Sequence, residues 1–140
     1  MIATPLNRSQ YDDPRRLREL IEKISSLASN YDIKSVVVGM SGDEGDLLFP
    51  EMVDYIESAL RVDDGIFRLT RERAVFFLAD ADRARAADIM ERLVMGFREK
   101  FTPSQEPRIG LGYFEVTPGV VPLTVRDVLP SLFDAAPIPH

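Results

Sequence analysis

The spacing of apolar positions divides the chain into short elements. Leu17, Leu20, Ile21, Ile24, Leu27 and Ala28 recur every three or four residues, the period of an amphipathic helix. Asp13 and Pro14 supply a cap and a first-turn proline, so a helix is expected over about 14–29. Ile33 to Met40 contains the β-branched run Val36-Val37-Val38 and predicts a buried strand. The turn-rich acidic stretch Ser41-Gly42-Asp43-Glu44-Gly45-Asp46 predicts a loop. Leu48, Met52, Val53, Ile56 and Leu60 form a second helical face, with Pro50 tolerable only in its first turn. After the turn Asp63-Asp64-Gly65, Ile66 to Leu69 and Ala74 to Leu78 read as two strands of a tight hairpin about Thr70–Arg73. Ala86, Met90, Leu93, Val94, Phe97 and Phe101 mark a third helix, over about 82–101. Arg108 to Val116 predicts a last strand containing Gly110 and Gly112, and Val125 to Ala135 a short final helix.

The order is a helix, then β-α-β-β-α-β, then a helix. The middle part is the split βαβ, ferredoxin-like arrangement, an antiparallel sheet carrying its two helices on one face. The fold class is therefore α+β with extra N- and C-terminal helices. The 140 residues suit a single domain, 1–140. Phe76, Phe77, Phe97 and Phe101 are read as packing.

Charge and composition remove several function classes. A net charge of -6 is opposite to the basic excess of nucleic-acid binders, so no nucleic-acid partner is expected. A local basic patch remains compatible with one small anion. No apolar run reaches the length that crosses a bilayer, and the N-terminus lacks a signal-peptide core, so a cytoplasmic protein without membrane contact is expected. The absence of cysteine excludes thiolate chemistry. The only histidine is the last residue, His140, which makes a Ser-His-Asp triad improbable. Enzyme chemistry would have to rest on carboxylates or a bound metal.

The order of elements, and residues within it, resemble the GGDEF (diguanylate cyclase) family, a bacterial signalling family that makes cyclic di-GMP from two GTP molecules. Thr4-Pro5-Leu6-Asn7-Arg8 resembles the opening LTGLxNR with one residue missing. Gly45-Asp46-Leu47-Leu48 resembles GDxxL, and Arg61 to Arg68 resembles the RxxDxxxR before the signature. Ala74-Val75-Phe76-Phe77-Leu78 stands where the strand after the signature should be. Met90-Glu91-Arg92-Leu93 resembles AERL, Ile109-Gly110-Leu111-Gly112 the late SIG strand, and Leu132-Phe133-Asp134-Ala135 the terminal ALYxA. In this register the signature is Thr70-Arg71-Glu72-Arg73-Ala74. A second register, with Ser41-Gly42-Asp43-Glu44-Gly45 as the signature, is rejected because only one helix and one strand fit upstream of it.

The resemblance implies a site that has lost its catalytic set. Family members hold two metal ions with carboxylates from the first strand and the signature turn; these neutralise charge on the transferred phosphoryl group. Here the first-strand position is Gly39, both signature glycines are gone, Arg73 replaces one signature acid and only Glu72 remains. The loop after the first strand is shortened to Met40–Glu44. The resemblance thus implies a pseudoenzyme, with no catalytic residue, no metal ligand and no cofactor. Asp43, Glu44 and Asp46 lack the spacing of a calcium loop and are read as a solvated loop with helix-capping acids.

Many family members also bind cyclic di-GMP at an inhibitory site built on RxxD. A carboxylate accepts from guanine N1–H and N2–H, and an arginine forks onto O6 and N7 or stacks on the base. The resemblance places Arg61 and Asp64 there. Arg68, Arg71 and Arg73 would help with phosphates if their side chains face the same side. Arg85-Ala-Ala-Asp88 is also RxxD, but it falls mid-helix and has no such role by register; Arg83, Arg85, Arg92 and Arg98 are read as a solvated face. The expectation is a regulatory, nucleotide-binding module with cyclic di-GMP as its ligand. The alternative is a protein-interaction or dimerisation module, with a protein partner or a homodimer, that binds no nucleotide.

Overall fold

The structure, a computed structural model, describes residues 13–100, 109–118 and 123–133. The chain order is α1 (Pro14–Tyr31), β1 (Ser35–Ser41), α2 (Leu48–Ala59), β2 (Gly65–Thr70), β3 (Arg73–Ala79), α3 (Arg83–Lys100), β4 (Gly110–Val116) and α4 (Val125–Phe133). The expected elements are all present, with ends shifted by a few residues. The opening Thr4–Arg8 match, Phe101, Arg108 and the expected end of the last helix at 134–135 lie outside the described residues.

The strands form one antiparallel sheet in the order β2-β3-β1-β4. This is the ferredoxin-like order expected from the sequence. Its centre is β1, whose Val36, Val37, Val38 and Met40 are all fully buried. Side chains alternate between two faces. Val36, Val38, Met40, Ala74, Phe76 and Leu78 meet α2 and α3 through Met52, Ile56, Met90 and Phe97. Val37, Phe67, Val75, Phe77 and Val116 meet α1 and α4 through Leu17, Ile21, Ile24, Val128 and Leu132. Both faces are thus covered, so the strands read as near-continuous apolar runs.

Local chemistry sets the element ends. The Asp13 carboxylate accepts from Arg15 N at 2.9 Å, capping α1 ahead of Pro14. Asp32, at φ 57, terminates α1 in a left-handed conformation and donates its N–H to Leu27 O. Leu48 is only half-buried, and Phe49, 1% exposed, takes the expected place of Leu48 on the apolar face of α2. Phe49 packs on Gly42, where an added Cβ would lie 2.6 Å from its ring. The Asp46 carboxylate, one residue before the helix N-cap position, accepts from Leu48 N at 2.9 Å.

α4 lies against a saddle made by two glycines. Gly39 of β1 and Gly112 of β4 are directly paired. A Cβ on Gly112 would come 2.4 Å from Leu132 O, and one on Gly39 would come 2.7 Å from Leu132 Cβ. The missing side chains therefore let the helix backbone approach the sheet.

Candidate functional site

The β2–β3 hairpin turns at Arg71 and Glu72, where the signature register placed it. Ser41, by contrast, ends β1 and leads through a loop into α2, so the rejected register forms no hairpin. Neither Arg71 nor Glu72 has a positive φ, and a register irregularity lies beside the turn between Arg68 and Thr70. Glu72 N donates to Thr70 Oγ1 at 3.2 Å, and Gly42 N donates to Glu72 O at 2.8 Å, tying the turn to the end of β1. Among the described residues, no three acidic or histidine side chains cluster so as to hold a metal ion.

Arg61 and Asp64 come together in the turn between α2 and β2. The Asp64 side chain is 4% exposed and the Arg61 side chain 55%. Asp64 Oδ2 accepts from Arg61 N at 3.0 Å and from Arg61 Nε at 3.3 Å. Asp64 Oδ1 accepts from Ala79 N at 3.0 Å and from Arg61 Nη2 at 3.3 Å. Arg61 Nη2 also donates to Ala79 O. The Asp64 hydrogen bond and charge hold the Arg61 guanidinium above its ordinary pKa, against a smaller opposing effect of burial. The motif thus ties the turn to the end of β3.

This turn and α3 enclose a cleft of about 250 Å³, with Arg61, Asp64, Arg85 and Arg92 around Leu60, Ile89 and Leu93. Arg85 and Arg92 are exposed, as expected, but they also border the same cleft as Arg61, which the sequence reading missed. One signal was available: Arg85 and Arg92 are seven residues apart, two helical turns, and so share a helix face. Arg92 pairs with Asp88 at 3.2 Å. Arg83 stacks over the Tyr113 ring at 5.4 Å, and Arg98 is half-buried, so neither is simply solvated.

The other three candidates are dispersed. Arg68 faces α2, where it donates to Asp54 and to Glu57, both at 2.7 Å. Burial works to lower its pKa, but those two bonds outweigh it and hold the guanidinium above the ordinary value. Arg68 and Arg71 border a separate cavity of about 210 Å³ with Phe49, Val53 and Asp54. Arg73 lies on the opposite face, 5.1 Å over the Phe133 ring of α4. The condition that Arg68, Arg71 and Arg73 face one side is therefore not met by Arg73.

Comparison with solved structures defines the class: the chain has the fold of GGDEF domains. The GGDEF domain of DgcB from Caulobacter crescentus, solved in complex with c-di-GMP, superposes with a TM-score of 0.62 at 10% identity, over 75% of this chain and 72% of that one. A DGC protein from Thermotoga maritima gives a TM-score of 0.57 at 13% identity, over 72% of this chain and 78% of that one. The diguanylate cyclase SiaD of Pseudomonas aeruginosa, in complex with its activator SiaC, gives 0.63 at 20% identity, over 81% of this chain and 49% of that one. No protein-family model and no curated protein matches the chain by sequence.

Proposed function

We propose that the chain is a catalytically silent GGDEF-like regulatory module that binds cyclic di-GMP at the cleft between the α2–β2 turn and α3. The observation that carries this reading is the convergence of Arg61, Arg85 and Arg92 on one cleft with an apolar floor. Arginines suit phosphates and base faces. At about 250 Å³ the cleft is smaller than the 300 Å³ or so at which drug-sized sites begin. It would take one nucleotide face, leaving the rest of the ligand over the exposed surface of α3.

Catalytic silence is supported by what stands at the resembling metal positions. Gly39 offers no ligand and lies under α4. Arg73 brings a cation where a cation would bind, and of the two signature acids only Glu72 remains. No helix among the described residues is long and apolar enough to cross a membrane; with the sequence reading, this supports a cytoplasmic module.

Calorimetric titration with cyclic di-GMP, beside GTP and an Arg61→Ala, Arg92→Ala variant, tests the proposal. Micromolar or tighter binding of cyclic di-GMP that the variant loses is the expected result. No heat with either nucleotide would overturn the reading. A second reading, a protein-interaction module without a ligand, is favoured by one observation. Val62, at the apex of the α2–β2 turn, is 94% exposed and presents an apolar side chain to solvent.

A further inference from the structure

We infer that this cleft recognises a cyclic dinucleotide through its phosphates and base faces and not through the edge of guanine, so that it accepts the ligand whatever its base. The inference rests on the function proposed above and follows from a count of donors and acceptors. An ionised carboxylate is acceptor-only, with about four lone-pair sites. Arg61 N, Arg61 Nε, Arg61 Nη2 and Ala79 N fill them on Asp64. The carboxylate is 4% exposed, so it has neither room nor spare acceptors for guanine N1–H and N2–H. Turning it toward a base would leave Ala79 N–H at the end of β3 without its acceptor, and an abandoned donor costs more than a new bond returns.

Arg61 is committed in the same way. A guanidinium carries five N–H donors in a fixed fork. Nε donates to Asp64, and Nη2 donates to both Asp64 and Ala79 O. The remaining hydrogens sit on Nη1. A fork onto guanine O6 and N7 draws on two neighbouring nitrogens, whereas a single nitrogen suffices for a phosphate oxygen. The face of the guanidinium stays available for stacking, since the side chain is 55% exposed. Arg85 and Arg92 add positive charge from the exposed surface of α3, Arg92 from beside Asp88, with which it pairs at 3.2 Å. Leu60 and Ile89 offer an apolar surface to a base of either kind.

The experiment is a calorimetric comparison of cyclic di-GMP with cyclic di-AMP on the full chain and on an Arg85→Ala, Arg92→Ala variant. Adenine carries an amino donor where guanine carries O6, so a site reading the guanine edge would reject cyclic di-AMP by a factor on the order of a hundred or more. The expected result is affinities within roughly five-fold of each other, both weakened about ten-fold or more in the variant. Cyclic di-GMP binding on the order of a hundred-fold tighter than cyclic di-AMP would overturn base tolerance and leave the proposed function standing. Equal affinities left unchanged in the variant would overturn the role of the α3 arginines. Failure of both ligands to bind would overturn the proposed function and this inference with it.

Discussion

Asp64 shows how much one side chain can organise. Its carboxylate closes the α2–β2 turn through Arg61 N and fastens that turn to β3 through Ala79 N. Asp64→Ala is expected to destabilise the protein by about 1–3 kcal/mol, the range for leaving a buried donor unpaired. Arg61→Ala should cost less, because the Asp64 carboxylate keeps its two backbone donors, Arg61 N and Ala79 N. Urea denaturation of the two variants measures the difference; a larger loss for Arg61→Ala would refute this division of roles. Tyr113 gives a pH prediction. Burial raises its pKa above the ordinary 10.0, with a smaller raising effect from Glu91 and an opposing one from Arg83. A folded-state pKa above the unfolded value means that stability is fully present below pH 10 and declines as pH rises through the folded pKa. Tyr113→Phe should flatten the alkaline fall in melting temperature, measured from neutral pH to about pH 11.

At the scale of elements, α4 and the glycine saddle form one unit. Gly112 has backbone, not a flexible side chain, 2.4 Å from where its Cβ would sit. Gly112→Ala must push α4 away, and overpacking of this kind costs about 1–3 kcal/mol. Gly39→Asp would place a carboxylate at the resembling metal position, but against Leu132 of α4. It should lower the melting temperature and restore no metal-dependent GTP turnover. A Gly39→Asp protein with wild-type stability and GTP turnover would refute both parts. The sequence reading took Gly39 only as a missing ligand; its packing role needed the partner helix in place. The α3 arginines illustrate the same limit. Helical period put Arg85 and Arg92 on one face, yet whether that face meets solvent or borders a cleft depends on what folds beside it.

The described residues form a sheet with helices on both sides, and the stability of this unit should respond to ligand as a whole. A ligand that binds only the folded chain stabilises it by about 2.7 kcal/mol at one hundred times its dissociation constant. Cyclic di-GMP at that excess should raise the melting temperature measurably, and the shift should shrink with added salt because arginine–phosphate contacts are screened. A salt-independent shift would point to recognition without the arginines.

The sequence by itself determined the elements and their order. Periods of two and of three to four residues report which faces are apolar, and Asp13, Pro14 and Asp46 act on neighbours a few residues away. It also determined the hairpin register, because the strand and helix lengths upstream left room for one signature position. Only the tertiary structure decided the site. Ala79 is fifteen residues from Asp64 and Arg92 thirty-one from Arg61, and no local pattern encodes that they meet. That meeting follows from the antiparallel pairing of β2 with β3 and from the packing of α3 beside the α2–β2 turn. The same packing supplies the Asp64 carboxylate with donors from within the fold, so that Asp64 and Arg61 fasten the α2–β2 turn to the end of β3.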